Sequence, residues 1–339
     1  MGLNVCVAGA TGNVGRTMIK ILEEKNFPVD RLRLLASSRS AGKKLEFKGG
    51  EIVVEELTQE SFEKGEIILS SPGGSVSKWY APSAAKAGAL VIDNTSAFRM
   101  DSHVPLVVPE VNPEEAFNHN GIIANPNCST IQMVVVLKPI HDKARIRRVV
   151  VSTYQAVSGA GIAAIQELKD GSQAIIDGKY FESKVFPHQI AFNCLPQIPQ
   201  SKAFGDNYYS SEEMKMVNET KKIMKDTSIM VTATTVRVPV FTGHSESVNI
   251  ETERKLTRTD AINLLSEAPG IIVQDEPEKQ IYPLASKAEG KNKTYVGRIR
   301  EDISHASALD MWIVSDNLRK GAAYNTIQIA ELFIEKGGI

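Results

Sequence analysis

Apolar and polar positions follow two different patterns along the chain, and the pattern changes near residue 148. Before this point, short apolar runs alternate with helix-like segments. The runs that predict buried strands are 3–8, 32–37, 67–70, 90–93 and 122–124, and the segments that predict helices are 17–24 and 77–87. Strands that alternate with helices are typical of a parallel sheet covered on both faces, so the sequence predicts an α/β fold here.

After residue 148 the apolar runs are longer and mostly rich in β-branched residues, which favours a broad mixed sheet. These runs are 149–154, 229–241, 247–253 and 308–314. Ser210 and Glu213 have the spacing of a capping box, and they predict a helix that continues to about Lys225. Residues 170–206 are rich in turn formers and predict a long excursion, while residues 317–336 predict a last helix.

Composition and charge narrow the class of protein. The 339 residues are enough for two domains, and 42% hydrophobic with 23% charged residues fits a globular chain. A formal net charge of -1 gives no reason to expect nucleic acid or an anionic membrane as a partner. No apolar run approaches the roughly 20 residues that span a bilayer. No signal peptide is predicted, so the expected compartment is a reducing cytoplasm.

The glycines at positions 9, 12 and 15 follow the first strand and precede a helix, in a GxxGxxG loop. Such glycines allow a tight turn, close approach of a pyrophosphate to the backbone, and close packing of helix on strand. The loop is a variant of the dinucleotide fingerprint and predicts nucleotide binding. The alternative is a plain glycine-rich turn.

The end of the second predicted strand carries Ser37, Arg39 and Ser40, followed by Lys43 and Lys44. An NAD site usually has Asp or Glu at this place, where the residue reads the ribose 2′ position. Arginine and hydroxyl groups suit a 2′-phosphate instead, and no carboxylate in this run repels it. The run therefore favours NADP over NAD, with a solvated basic turn as the alternative.

Cys6, Cys128 and Cys194 are few and widely spaced, so neither disulfides nor a metal site is expected. Cys128 lies in the run Asn-Pro-Asn-Cys-Ser-Thr, between the strand-like stretch 121–124 and the helix-like stretch 131–137. The start of a helix offers free N–H groups and a positive dipole end, which lower a thiol pKa from about 8.5. This position alone leaves two interpretations open, a reactive thiolate and a small buried apolar residue, and the remaining motifs of the chain favour the thiolate.

Two further segments carry candidate chemistry. Gln155 ends a predicted strand before a loop of small residues, in which Ser158 and Gly159 would let a nicotinamide approach the backbone, with a flexible loop as the alternative. Arg237 and His244 are seven positions apart, a separation that would place them on opposite faces of an unbroken strand. Proline and glycine between them break that continuity, so both could reach one cleft. His244 would then act as a base beside a cysteine nucleophile.

Glu219 and Lys222 are three positions apart on the helix that follows Ser210, so they share a face. Taken alone, this spacing predicts a solvated ion pair of small energetic value. The pair gains a functional interpretation only from the resemblance described next.

Several segments together resemble the aspartate-semialdehyde dehydrogenase family over essentially the full chain, with spacing similar to its bacterial branch. They are 9–15, 94–99, 125–130, 154–161, 219–222, 237–244 and 316–321 with Asn325. The resemblance implies a Rossmann-type NADP-binding domain, residues 1–127, completed by a C-terminal helix, 317–339. It also implies an α+β catalytic and dimerisation domain with a mixed sheet, residues 128–316, and a homodimer.

The resemblance implies a role for each candidate residue. Cys128 resembles the nucleophile, His244 the acid/base group and Gln155 the residue that orients the intermediate. Arg237 resembles the clamp on the substrate carboxylate, for which a planar two-point donor is well suited. Glu219 resembles the partner of the substrate amino group, and Arg99 and Lys222 resemble the phosphate-binding cations. The implied NADP contacts are Gly9, Thr11, Gly12, Asn13, Val14, Ser37, Arg39, Ser40, Ser158, Gly159 and Asn317.

The implied reaction needs no metal and is reversible. L-aspartate 4-semialdehyde, phosphate and NADP give L-4-aspartyl phosphate and NADPH through a thioester on cysteine, and in cells the family runs it toward the semialdehyde for lysine, threonine and methionine synthesis. A rival with the same logic is N-acetyl-glutamyl-phosphate reductase, whose acylated substrate amine offers no cation to Glu219. A rival of another class is a non-catalytic NADP-binding sensor, which would need no nucleophile.

Overall fold

The computed structural model describes residues 2–335, and the chain divides into two compact units. The first unit runs up to Asn127 and resumes at Ala322, and the second unit is Cys128–Gly321. Each unit contains one sheet. The two sheets match the two patterns of apolar residues in the sequence.

The first unit is an α/β unit with a mainly parallel sheet. Its elements are β1 (Leu3–Ala8), α1 (Asn13–Glu24), β2 (Val29–Ala36), β3 (Lys44–Phe47), β4 (Gly50–Glu56), β5 (Ile67–Ser70), α2 (Gly74–Lys86), β6 (Leu90–Asp93) and β7 (Ile122–Ala124). The strand order is β3-β4-β2-β1-β5-β6-β7, and every neighbouring pair is parallel except β3 with β4. The predicted parallel sheet is confirmed. The β3–β4 hairpin was not predicted, because its strands are short and mostly exposed and its few apolar residues stand among charged ones.

The second unit is built on a mixed sheet, as predicted. Its elements are α3 (Cys128–Ala144), β8 (Ile146–Gln155), α4 (Ile162–Ile176), α5 (Ser211–Met224), β9 (Met230–Arg237), β10 (His244–Thr252), α6 (Arg258–Glu267), β11 (Ile271–Val273), α7 (Ala285–Ala288), β12 (Thr294–Glu301) and β13 (Ala308–Ser315). The strand order is β11-β12-β13-β10-β8-β9. The β8–β9 and β11–β12 pairs are parallel and the other pairs are antiparallel.

The last helix, α8 (Tyr324–Glu335), follows a π-helical turn at Arg319–Ala323 and belongs to the first unit. Its buried Ile327 and Phe333 join the apolar core that contains Met18 of α1. The α-helix thus begins later than predicted, and residues 336–339 of the prediction lie outside the described residues. Within residues 2–335, no helix has the length and apolar character needed to cross a bilayer.

Three details of the second unit refine the prediction. Ser210 and Glu213 form the predicted capping box, with the Ser210 Oγ accepting from the Glu213 N–H at 3.2 Å. The single strand predicted over 229–241 was wrong, since β9 ends at Arg237, ahead of a proline that has no N–H to donate. The excursion predicted to begin at residue 170 was also wrong at its start, since α4 continues to Ile176. A glycine in α4, Gly171, misled the prediction.

Candidate active site

Cys128 is the first residue of α3, as the sequence predicts. Its side chain is partly exposed, whereas Cys6 is buried and Cys194 is exposed. A β-carbon placed on Gly321 would lie 2.7 Å from the β-carbon of Cys128, so a residue larger than glycine would not fit there. The thiol therefore lies at the positive end of a helix, next to the backbone of Gly321, which has no side chain.

His244 begins β10 and is fully buried. Its Nδ1 accepts a hydrogen bond from the Ala156 N–H at 3.0 Å, so the neutral ring carries its proton on Nε2. Among the described residues, this Nε2 has no hydrogen-bond partner. Burial, with a smaller contribution from the positive charge of Arg237, lowers the pKa of His244 from 6.5 to about 3. His244 is thus a neutral hydrogen-bond donor at ordinary pH.

Arg237 ends β9 beside Gln155 in the sheet register, and it is 4% exposed. Its Nη1 donates to the Ala156 carbonyl oxygen at 2.7 Å. Burial lowers the pKa of Arg237, and the negative charges of Glu212 and of the Cys128 thiolate act in the opposite direction. A thiolate at Cys128 would therefore be attracted by the Arg237 guanidinium.

Gly159 marks the place where the side chains of Arg237 and His244 meet. A β-carbon on Gly159 would lie 3.1 Å from the Arg237 Nη1 and 3.4 and 3.5 Å from the Cε1 and Nε2 atoms of His244. The two residues converge because one strand ends at Arg237 and the next begins at His244. This convergence agrees with the interpretation that the break between the strands lets both side chains reach one cleft.

Gln155 is 1% exposed at the end of β8. Its amide nitrogen donates to the Thr153 Oγ1 and to the Glu212 Oε1, each at 3.3 Å. Because both N–H bonds of the amide are used in this way, the group that Gln155 can offer to a ligand is its carbonyl oxygen. Sequence reasoning missed Glu212. A signal was present, since Glu212 and Glu219 are seven positions apart and therefore share a face of α5.

Glu219 and Lys222 lie on α5, and Glu219 is 1% exposed. The solvated ion pair that the spacing alone predicted is therefore wrong for Glu219. Burial of a carboxylate is costly unless opposite charge or hydrogen bonds compensate it. The roles of Glu219 and Lys222 toward a substrate stay predictions.

Arg99 lies in the first unit, in the loop after β6, and it is 7% exposed. Its Nε donates to the Asn125 carbonyl oxygen at 3.0 Å, and its Nη2 donates to the Asn94 carbonyl oxygen at 2.9 Å. The side chains of Asn94 and Asn125 are themselves joined by a hydrogen bond of 2.7 Å. The guanidinium is thus held in a fixed orientation, as a phosphate-binding cation needs to be. That phosphate role stays a prediction.

The glycine loop of the first unit leads from β1 into α1. Gly9 has a φ of +83°, and a β-carbon there would lie 2.7 Å from the Ser71 backbone, while one on Gly15 would lie 2.3 Å from the Gly9 carbonyl oxygen. The N-cap of α1 is Gly12, which has no side chain to cover the first-turn N–H groups. Among the described residues, the side-chain nitrogen of Asn13, Nδ2, is buried without a hydrogen-bond partner. These features fit a bound pyrophosphate.

A cavity of about 530 Å³ lies beside this loop in the first unit. It is lined by Gly9, Thr11, Gly12, Ala36, Ser37, Ser38, Arg39, Glu56, Leu57, Ser71, Pro72, Val76 and Trp79. Ser40 joins this region through hydrogen bonds of 3.4 Å with Thr11 and Lys43. The hydroxyls and Arg39 fit a 2′-phosphate. Sequence reasoning considered only the end of β2 and missed Glu56, which β4 brings beside Ala36.

Ser158 and Asn317 are joined in the second unit. The Asn317 Nδ2 donates to the Ser158 Oγ at 3.0 Å, and the Asn317 Oδ1 accepts from the Gly243 N–H at 2.9 Å. Asn317 therefore ties the Ser158 loop to the turn before His244. Direct contact of these residues with a cofactor stays a prediction. In residues 2–335, no cluster of three or more His, Cys, Asp or Glu side chains is arranged to hold a metal ion.

The chain is similar to curated proteins and to solved structures over nearly its whole length. It is 57% identical to the aspartate-semialdehyde dehydrogenase of Aquifex aeolicus, over 99% of each chain, and 56% identical to that of Bacillus subtilis, over 97% of each. The crystal structure of aspartate semialdehyde dehydrogenase II from Vibrio cholerae, complexed with ASA, matches with a TM-score of 0.94, 50% identity and 99% coverage of both chains. The NADP complex of the Candida albicans enzyme matches with a TM-score of 0.76, 27% identity and full coverage of both chains.

Together, the fold and the site are those of a dinucleotide-dependent oxidoreductase. Residues 4–119 match the family model described as semialdehyde dehydrogenase, NAD binding domain, and residues 137–320 match the one described as semialdehyde dehydrogenase, dimerisation domain. With these models and relatives, the chain belongs to the aspartate-semialdehyde dehydrogenase family.

Proposed function

We propose that the chain is an NADP-dependent aspartate-semialdehyde dehydrogenase that interconverts L-4-aspartyl phosphate and L-aspartate 4-semialdehyde through a thioester on Cys128. The observation that carries the proposal is the convergence of Arg237 and His244 at Gly159, with the Arg237 charge within reach of the Cys128 thiolate. A helix-start thiolate, a buried cation and a neutral donor supply what attack on a carbonyl group requires.

Cys128 carries the covalent step. In the direction of aldehyde oxidation, its thiolate forms a C–S bond to the aldehyde carbon, and the carbonyl oxygen becomes an alkoxide. Loss of hydride from that carbon leaves a thioester. Phosphate oxygen then forms a bond to the thioester carbon, the C–S bond breaks, and the thiolate is regenerated. The proton released overall comes from the phosphate, so the sulfur ends in the state in which it began.

His244 acts on the substrate oxygen. In place of the acid/base role that the resemblance implies, its Nε2–H donates a hydrogen bond to the oxygen as negative charge develops there, and the ring stays neutral. The hydrogen bond from the Ala156 N–H to Nδ1 supports this role, because a protonated Nδ1 would place two donors against each other at 3.0 Å. A fixed donor aimed at a developing oxyanion needs no reorganisation at the moment of reaction.

The substrate is recognised by its two charged ends. Arg237 offers a planar donor to the α-carboxylate, and the buried Glu219 accepts from the α-ammonium group. The acylated amine of N-acetyl-glutamyl substrates carries no charge, so a buried carboxylate at this position favours the aspartyl substrate. Arg99 and Lys222 are the cations proposed to bind the attacking phosphate.

The first unit would hold NADP through the glycine loop, with Thr11, Asn13 and Val14 near the pyrophosphate and Arg39 and Ser40 near the 2′-phosphate. Ser158, Gly159 and Asn317 are proposed to contact its nicotinamide end. When bound, NADP accepts or returns the hydride of the substrate carbon. The distant relative that was solved with NADP supports this choice over NAD, as does Arg39 itself.

The match to a dimerisation domain supports a homodimer. A free catalytic thiol suits a reducing compartment, and we place the enzyme in the cytoplasm, on the route to lysine, threonine and methionine. The test is NADPH formation from NADP, phosphate and L-aspartate 4-semialdehyde. We expect strict dependence on phosphate and little turnover of N-acetyl-glutamate 5-semialdehyde. Equal turnover of the two aldehydes, or none of either, would overturn the proposal.

A further inference from the structure

Glu212 is a buried carboxylate beside the site that the proposed chemistry does not use. It is 5% exposed in the first turn of α5, where its neighbour Glu213 forms the capping box with Ser210. Glu212 is therefore not the residue that caps the helix. Its Oε2 accepts from the Lys215 Nζ at 2.9 Å, and its Oε1 accepts from the Gln155 Nε2 at 3.3 Å.

This second contact decides the orientation of the Gln155 amide. An ionised carboxylate can only accept hydrogen bonds, so the amide must turn its nitrogen toward Glu212. The reversed amide would place its oxygen against a carboxylate oxygen at the same distance, which is repulsive. Thr153 accepts from the same amide nitrogen at 3.3 Å. Glu212 and Thr153 thus fix Gln155 as a hydrogen-bond acceptor toward anything that binds in the cleft.

The charge of Glu212 also acts on the cationic side of the site. Its negative charge raises the pKa of Arg237 and that of His244, against the larger effect of burial on both. A buried guanidinium without a compensating charge is costly, and Glu212 supplies that charge from within the same unit.

We propose that Glu212 is a positioning residue: it orients the Gln155 amide so that its oxygen faces the substrate, and it compensates the buried charge of Arg237. This inference rests on the proposed function. In the thioester reaction, an acceptor at Gln155 suits the ammonium group or a hydroxyl of the substrate attached to Cys128. A Gln155 that was free to turn would offer a donor part of the time and would bind the same group less well.

The test uses the full-length enzyme and a matched pair of substitutions. Glu212→Gln keeps the size of the side chain but lets its new amide either donate or accept, so Gln155 loses its fixed orientation. We expect kcat/KM for the semialdehyde to fall about tenfold or more, the loss of one charge-assisted hydrogen bond, with the KM for phosphate little changed. Glu213→Gln makes the same change one position along, in the capping residue, and should lower Tm while kcat of the folded enzyme is kept.

A double-mutant cycle separates positioning from general damage. If Glu212 acts through Gln155, Glu212→Gln should lower kcat/KM much less in a Gln155→Ala background than in the wild type. Equal losses in the two backgrounds, or a Glu212→Gln enzyme with wild-type kcat/KM, would overturn the inference. Glu212→Asp, which keeps the charge, should retain more activity than Glu212→Gln if the latter melts early. Absence of activity in the wild type itself would instead overturn the proposed function.

Discussion

The candidate ligand sites of the two units are built from different parts of the chain. In the first unit the ligand site is made of backbone: a β-carbon on Gly9 or Gly15 would meet main-chain atoms at 2.7 or 2.3 Å, and the cation offered there, Arg39, is exposed. In the second unit the site is made of buried side chains, with Arg237 4% and His244 0% exposed. From this difference we expect loss of the exposed cation to affect cofactor binding alone, whereas a change at a buried charge should disturb every group that compensates it.

The largest effect is expected at the nucleophile of the second unit. Cys128→Ser should reduce kcat by at least about three orders of magnitude, because a hydroxyl group is far less nucleophilic than a thiolate at neutral pH. Binding of NADP, measured by titration of the enzyme, should be retained, because the glycine loop belongs to the other unit. Cys194→Ser changes an exposed cysteine and should keep wild-type turnover. Near-wild-type turnover of Cys128→Ser would end the assignment.

Loss of the exposed cation in the first unit should change cofactor choice and little else. Arg39→Ala should raise the KM for NADP by about tenfold or more relative to the KM for NAD, since a charge-assisted hydrogen bond contributes about 1.5–3 kcal/mol. Lys44→Ala is the control, because Lys44 pairs with Glu51 at 2.7 Å on the surface. Equal effects of Arg39→Ala on both cofactors would show that Arg39 does not read the 2′-phosphate.

A change of shape without loss of charge tests the buried side of the comparison. Arg237→Lys should lower kcat/KM for the semialdehyde by roughly tenfold, because lysine loses the planar two-point donor, with the KM for phosphate little changed. Arg148→Lys makes the same change at a half-exposed residue of the same sheet, paired with Glu251 at 2.8 Å, and should be silent. If Arg237 merely packs in the sheet, a thermal melt will show lower Tm and all kinetic constants will fall together.

His244 should make the stability of the folded chain depend on pH. Its folded pKa of about 3 lies below the ordinary 6.5, so its contribution is complete above about pH 6.5 and is lost as pH falls toward 3. Wild type should therefore lose about 1.4 kcal/mol more per pH unit between about pH 6 and 4 than His244→Gln does. Urea unfolding at several pH values measures this difference. Matching slopes for the two proteins would mean that His244 titrates normally in the folded chain.

Much of the architecture could be predicted because buried strands leave continuous apolar runs. The runs 67–70 and 90–93 match β5 and β6 in full. The β3–β4 hairpin was not predicted because most of its residues are exposed and only Val54 is fully buried, so it lacks a continuous apolar run. The end of α4 was missed because glycine is a poor helix former and Gly171 lies inside this helix. The Phe181 ring packs at this position, where a β-carbon on residue 171 would lie only 3.2 Å from it.

Some of the candidate site residues could be predicted from the sequence and others could not. The glycine loop and Cys128 could be found because neighbouring residues in the chain carry the signal. Glu212 shares a helix face with Glu219, but the role proposed for it could not be predicted, because that role rests on a contact with Gln155, 57 positions away in the chain. Glu219 and Lys222 were predicted to share a face of one helix, but the spacing alone could not show that Glu219 is buried. Residue spacing shows which side chains share a face of a helix, but only the packing of the fold shows whether that face is buried.

The most direct test of the account is to trap the covalent intermediate. The enzyme is incubated with L-aspartate 4-semialdehyde and NADP in the absence of phosphate, then digested and analysed by mass spectrometry. We predict an aspartyl adduct on the peptide that contains Cys128, removed when phosphate is added, with the buried Cys6 and the exposed Cys194 unmodified. An adduct on Cys194, or rapid NADPH formation with no adduct on Cys128, would contradict the account.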